Sequence, residues 1–352
     1  MSEAAKYFYG IIDSKGDGRL SPPENRISGG IYTIPYQDIS ALVSDSPKVD
    51  CASLSREALA RLLLNHQQVI EKIMSLEYAV IPVKLGSFAG DEAEVKAILQ
   101  KGYALMRDII TKISDKIEID LAATWCDFAA VLHEIGEDAA IKGLKEELLS
   151  IHEGITVDDQ IKVGAMIKNV LDKKREDYVF LIQNTLNVMS HEFKVHDLMD
   201  DKMVINAAFL IDKDMYKDFE RKVEELNIRC GEKLRFRLVG PLPPYSFYTL
   251  EIKKLSFEEV DWARKKLNLP SFSSKEEIKK AFRRAAFSFH PDTNPDANLD
   301  TADVKKAFNE VTAAYKTLCE YCLAFEQSGQ GNEYSFREEK WEENALLVRV
   351  KE

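Results

Sequence analysis

Pro291 interrupts an otherwise continuous run of helical patterning, and that one residue constrains the last third of the chain more than any other. Before it, within "SSKEEIKKAFRRAAFSF", Ile278, Ala281, Phe282, Ala285 and Phe289 recur at the spacing of one helix face. After it, "TADVKKAFNEVTAAYKTLCEY" repeats the pattern with Val304, Ala307, Phe308, Val311, Tyr315 and Leu318. Proline has a fixed φ and no N–H to donate, so the first helix stops there. Two apolar faces joined by the polar turn "HPDTNPDANLD" must zip together, and an antiparallel helical hairpin is expected. Ser274, with Glu277 three residues on, forms a capping box at the start of the first helix. A further helix, "SFEEVDWARKKLNL", precedes it and is ended by Pro270.

Upstream the periodicity changes. "KYFYGII", "GGIYTIPY" and "DISALVS" are aromatic and β-branched and read as short strands. Residues 55–75 read as a helix with Leu59, Leu62, Leu63, His66, Ile70 and Ile73 on one face, which makes His66 a hydrogen-bonded core histidine. "EYAVIPVKLGSF" reads as a strand turning at Pro82 and Gly86, "DEAEVKAILQKGYALMRDII" as a helix and "KIEIDLAATW" as an alternating strand. Residues 127–200 read as helical throughout, with Val163, Ile167, Val170 and Leu171 on one face. Strand "KMVINAAFLI", helix "KDMYKDFERKVEEL", strand "EKLRFRLVG", turn "PLPP" and strand "YSFYTLEI" then suggest a small ferredoxin-like sheet whose first two strands run parallel. The aromatic "PPYSFY" is either a binding edge or a turn into a core strand. In the tail, "ALLVRV" alternates like a strand that could return to a sheet edge.

The expected fold is therefore α+β: two sheet-bearing α/β domains, the C-terminal one ferredoxin-like, with a helical segment between them, and an all-α hairpin module. The expected boundaries are an N-terminal α+β domain over 1–126, a helical segment over 127–200, a ferredoxin-like domain over 201–255, the helical module over 256–326 and a tail over 327–352.

Chemistry narrows the function by elimination. A formal charge of −11 on 352 residues argues against nucleic acid as a partner of the whole chain. Five scattered cysteines do not describe a disulfide framework, and the Cys319-x-x-Cys322 pair has no further ligands to complete a zinc site. Asp13, Asp17, Gly18 and Glu24 fall at calcium-loop positions, but Lys15 occupies a ligand position and Pro22 and Pro23 block the exiting helix, so no metal is expected. With no charged leader in "MSEAAKYFYGII" and no long apolar run, a cytosolic protein with no membrane partner is expected. No nucleophile with its base, phosphate cradle or metal cage is visible, so the expectation is a binding protein without cofactors and not an enzyme.

Five blocks, "YFYGII", "ISGGIYTIPYQDISALVS", "LLNHQQVIEKIM", "AVIPVKLGSFAGDEAEVKAIL" and "RFRLVGPLPPYSFYTLEI", resemble the gas vesicle GvpF/GvpL family over residues 6–252, in the family's order. Lys84, Leu85, Gly86 and Ser87 stand where the family has an Arg- and Thr-bearing string. The resemblance implies an accessory factor of gas vesicle assembly that contacts the small apolar shell subunit GvpA and other gas vesicle proteins. His290, Pro291 and Asp292, between "EIKKAFRRAAFSF" and "AFNEVTAAYKTL", resemble the HPD signature of J-domains, with Ser288 in place of the family's lysine. That resemblance implies engagement of an Hsp70 by the HPD tip and by a basic face made of Lys279, Lys280, Arg283 and Arg284. The rival reading is a general Hsp70 co-chaperone with an unrelated client-binding domain.

Overall fold

The computed structural model describes residues 5–13, 30–151, 156–231, 233–288, 301–329, 333–341 and 345–351. The chain groups into two units, Met1–Lys112 with Tyr248–Glu352, and Ile113–Phe247.

The first unit begins with β1 (Ala5–Asp13), followed by the antiparallel pair β2 (Ile31–Tyr36) and β3 (Ile39–Ser46). β1 is central, and Phe8, Ile11 and Ile12 on it are fully buried. Helix α1 (Arg56–Met74) starts at Ser55, whose hydroxyl accepts the Ala58 N–H at 3.2 Å. β4 (Val80–Pro82) completes the order β2-β3-β1-β4, and β5 (Phe88–Ala89) also pairs with β1. Helix α2 (Glu92–Ile113) follows and buries Val95, Ile98, Leu99, Met106, Ile109 and Ile110. The stripe expected along α1 is buried only in its second half, at His66, Val69, Ile70 and Ile73, while Leu59 and Leu63 are 37% and 51% exposed. Periodicity marks a face but cannot say how much of it a sheet covers.

The second unit opens with β6 (Lys116–Trp125) and the helices α3 (Phe128–Gly136), α4 (Ala139–Ile151) and α5 (Val157–Leu186). Thr156 and Asp159 make a capping box at the start of α5. Then come β7 (Glu192–Val195), β8 (Met203–Asp212), α6 (Tyr216–Arg229), β9 (Leu234–Leu242) and the single turn α7 (Tyr245–Tyr248). The sheet order is β7-β8-β6-β9 with antiparallel neighbours throughout. β8 and β9 therefore run parallel, as the crossover rule requires, with β6 inserted between them.

Two readings need correction. "EFKV" within the stretch read as helical is β7, which pairs Phe193 with Phe209 and Val195 with Ala207 on β8. Residues 245–248, read as strand, are the turn α7, and the strand that follows, β10 (Leu250–Lys254), lies outside the ferredoxin-like sheet. Short segments of mixed polarity carry little periodic signal, so distant pairing decides their state.

The chain then returns to the first unit. After β10 come α8 (Phe257–Lys266), β11 (Phe272–Ser273), α9 (Lys275–Ser288) and α10 (Thr301–Glu326). β12 (Tyr334–Ser335) pairs with β11, α11 (Glu338–Trp341) follows, and β13 (Leu346–Val350) pairs antiparallel with β10. β13 is held tightly: a Cβ at Gly102 of α2 would lie 2.8 Å from Cγ1 of Val348.

Candidate functional site

The C-terminal module has a core of its own. Val260 and Ala263 of α8, Ile278 and Ala281 of α9, and Val311, Ala314, Leu318, Tyr321 and Phe325 of α10 are all buried in one cluster. Phe282 stacks on Tyr315 with ring centroids 4.2 Å apart, joining α9 to α10. The capping box at the start of α9 is formed: the Ser274 N–H donates to Glu277 Oε2 at 2.8 Å and the Glu277 N–H donates to Ser274 Oγ at 3.3 Å. Ser256 and Glu259 make the same motif at the start of α8. Phe308, assigned to the buried face of α10, is 38% exposed, because the burial shifts to Ala314, Tyr321 and Cys322 further along that helix. Cys322 is buried in this core, where desolvation raises its thiol pKa, and Cys319 is half-buried. Cys322 thus packs in the core of the module.

Lys279, Lys280, Arg283 and Arg284 are exposed on α9, two successive pairs one helical turn apart. The backbone thus brings all four onto the solvent side, opposite Ile278 and Ala281. Phe289, His290, Pro291 and Asp292 lie outside the described residues, as do Asp17, Gly18 and Glu24 of the calcium-like loop.

A feature the sequence did not disclose joins the module to the rest of its unit. Arg349 on β13 donates to Glu251 on β10 at 2.7 and 2.9 Å and to Glu320 on α10 at 2.9 Å. Lys253 donates to Glu320 at 2.6 Å and Lys84 to Glu251 at 2.6 Å. The side chain of Glu320 is only 4% exposed. Burial alone would raise the Glu251 carboxyl, but the bonds from Lys84 and Arg349 outweigh it and bring its pKa down to about 2. Alternating "ALLVRV" signals a strand, but nothing local in it names Glu320 or Glu251 as partners.

The second unit holds another buried polar cluster. Glu118, 1% exposed on β6, accepts the Ser246 N–H at 2.8 Å and the Ser246 hydroxyl at 2.7 Å. His196 Nε2 lies 3.1 Å from the same hydroxyl, and Lys194 donates to the Ser246 carbonyl at 3.0 Å. The "PPYSFY" segment is thereby pinned over the sheet by its serine, with Tyr245 and Phe247 half-buried. Burial pushes the Glu118 carboxyl up to about 8, against the two bonds from Ser246, and the neighbouring Asp120 adds to the rise. Burial also raises Asp120, with His196 opposing.

The folded-state pKa of Glu118 is thus above its unfolded value, so its contribution to stability is full below the ordinary glutamate range and is lost as pH rises through about 8. Glu118→Gln keeps an acceptor for the Ser246 N–H and removes the charge. Thermal melts at pH 6 and pH 9 are expected to fall further in the wild type than in Glu118→Gln, by the equivalent of a few kcal/mol at most. Parallel curves would show that Glu118 does not titrate in this range.

His66 is a core residue, as its place on the stripe indicated. Its Nδ1 lies 2.8 Å from the Tyr7 hydroxyl and its ring stacks on Tyr9 at 5.6 Å. Burial lowers its pKa to about 4, so it is neutral at physiological pH.

Comparison with known proteins gives two matches in chain order. Residues 5–249 match the family described as gas vesicle synthesis protein GvpL/GvpF, and residues 265–321 match the DnaJ domain. Gas vesicle protein F of Dolichospermum flosaquae is 26% identical over 197 residues, 55% of this chain and 79% of that one. Gas vesicle protein F of Microcystis aeruginosa is 22% identical over 248 residues, 69% of this chain and 98% of its own. The chaperone protein DnaJ of Sinorhizobium medicae is 34% identical over 79 residues, 20% of each chain. The crystal structure of GvpF from an Anabaena species superposes with a TM-score of 0.59 at 24% identity, covering 70% of this chain and 98% of that one. This last likeness speaks to the fold alone.

Proposed function

The chain belongs to the GvpL/GvpF family of gas vesicle synthesis proteins, and from that membership we propose that it is a cytoplasmic assembly factor that binds the apolar shell subunit GvpA and recruits an Hsp70 to it. The observation that carries this reading is the order of the two matches: a gas vesicle body over 5–249 and a DnaJ domain over 265–321 in one polypeptide. An apolar shell subunit awaiting assembly is a natural chaperone client, since exposed apolar patches associate without direction. Apolar side chains stand exposed within each unit: Leu59, Leu63 and Leu64 on α1, and Leu149, Val157 and Ile161 on α4 and α5. A cleft of about 350 Å³ between α4 and α5 is lined by Leu148, Leu149, Val163 and Ile167. The four cations of α9 supply the positive field that would orient an Hsp70 on encounter. Among the described residues no helix is long and apolar enough to cross a membrane.

The test is retention of purified shell subunit on the immobilised full-length chain. Saturable retention is expected, together with more shell subunit left in the supernatant after centrifugation. Equal retention on a control resin would overturn the shell-binding part of the reading.

A further inference from the structure

Among the described residues β9 is an edge of the four-stranded sheet: in the order β7-β8-β6-β9 it has one neighbour. Its register with β6 pairs Thr124 with Arg235, Ala122 with Arg237 and Asp120 with Val239, and the Cys126 N–H donates to the Lys233 carbonyl at 3.0 Å. In an antiparallel ladder this turns the backbone groups of Arg235, Arg237 and Val239 toward β6 and those of Phe236 and Leu238 away from it. Among the described residues, the backbone groups of Phe236 and Leu238 meet no other strand. The side chains alternate as well. Leu234, Phe236 and Leu238 line the strand side of a cleft of about 590 Å³, whose helix side carries Glu220, Val223, Glu224 and Asn227 of α6. Arg237 and Val239 are exposed on the opposite face, and the exposed Arg235 also borders the cleft.

An open ladder whose Leu234, Phe236 and Leu238 face a cleft bounded by a helix has the parts needed for strand addition, in which main-chain bonds give affinity and alternate side chains give selectivity. Charge selects the occupant. Neither Arg235 nor Arg237 takes an ion pair or side-chain hydrogen bond among the described residues, and "LRFRLVGPL" contains no acid. A second copy pairing edge to edge would set arginines near arginines, which is unfavourable across strands. We propose that the free edge of β9 takes up an extended segment of a partner protein whose residues alternate between apolar, packing beside Phe236 and Leu238, and acidic, facing Arg235 and Arg237.

The probe is a fluorescein-labelled octapeptide of alternating Glu and Val, titrated with the full-length chain and followed by fluorescence anisotropy. Saturable binding is expected. The same peptide N-methylated at alternate residues, which cannot extend the ladder, should bind at least tenfold more weakly, and so should a Lys–Val peptide. The double variant Arg235→Glu/Arg237→Glu should reverse the preference between the Glu–Val and Lys–Val peptides. The N-methyl and Lys–Val arms use the unaltered protein, so they stand even if the double variant misfolds. Absence of saturable binding, or equal binding of the N-methylated peptide, would overturn the proposal and leave the arginines as guards against edge-to-edge association.

Discussion

Arg349→Met is expected to lower the stability of the first unit by about 3 kcal/mol, because it removes a cation shared by Glu251 and Glu320 while keeping most of the aliphatic stem. Glu320 would retain only Lys253 and Glu251 only Lys84. The arginine side chain is 23% exposed and the two carboxylates 4% and 14%, so water cannot fully replace the lost guanidinium. For a unit of this size that loss corresponds to a fall in Tm of roughly 6–12 °C. A second substitution, Glu320→Gln, should recover part of the loss by removing the carboxylate left underpaired. Thermal melts of the wild type, the single and the double variant measure this. An unchanged midpoint in Arg349→Met would mean that pairing of β10 with β13 and the contact of Val348 with α2 hold the tail without the ion network.

Asp292→Asn is expected to abolish stimulation of ATP hydrolysis by the host Hsp70 while leaving the module folded. Among the described residues the core joining α9 to α10 is made by Ile278, Ala281, Val311 and Leu318 and by the Phe282–Tyr315 stack. The substitution should therefore cost at most ~0.5 kcal/mol, as for surface changes generally. Loss of a charge central to an interface can cost several kcal/mol of binding, enough to remove measurable stimulation. Steady-state hydrolysis with wild-type and variant chains, alongside melts of both, separates function from folding. If the folded wild type gives no stimulation, the hairpin is a scaffold only.

Local patterns carried most of the elements of this fold into view. Aromatic and β-branched residues in "KYFYGII" and alternation in "KIEIDLAATW" marked β1 and β6, and Ser274 with Glu277 marked the start of α9. Pairing was hidden, because it depends on residues far apart in sequence. Nothing in β6 says that it lies between β8 and β9, and nothing in "YSFY" says that Ser246 will cap a buried glutamate 128 positions earlier. The same limit applies to the candidate sites. The basic face of α9 is local and was legible as four charges at helical spacing, whereas the bridge from Arg349 to Glu251 and Glu320 joins three separate elements. The open edge of β9 followed from strand order alone, which no single segment encodes.

The central claim, that this chain couples gas vesicle assembly to an Hsp70, is tested most directly by counting gas vesicles by electron microscopy in a host from which the chain has been deleted. The deletion strain is expected to form few or none. Wild-type chain should restore them, and Asp292→Asn, expressed at equal abundance, should restore far fewer. Normal gas vesicle numbers in the deletion strain would contradict the assembly role, and full restoration by Asp292→Asn would contradict its coupling to Hsp70.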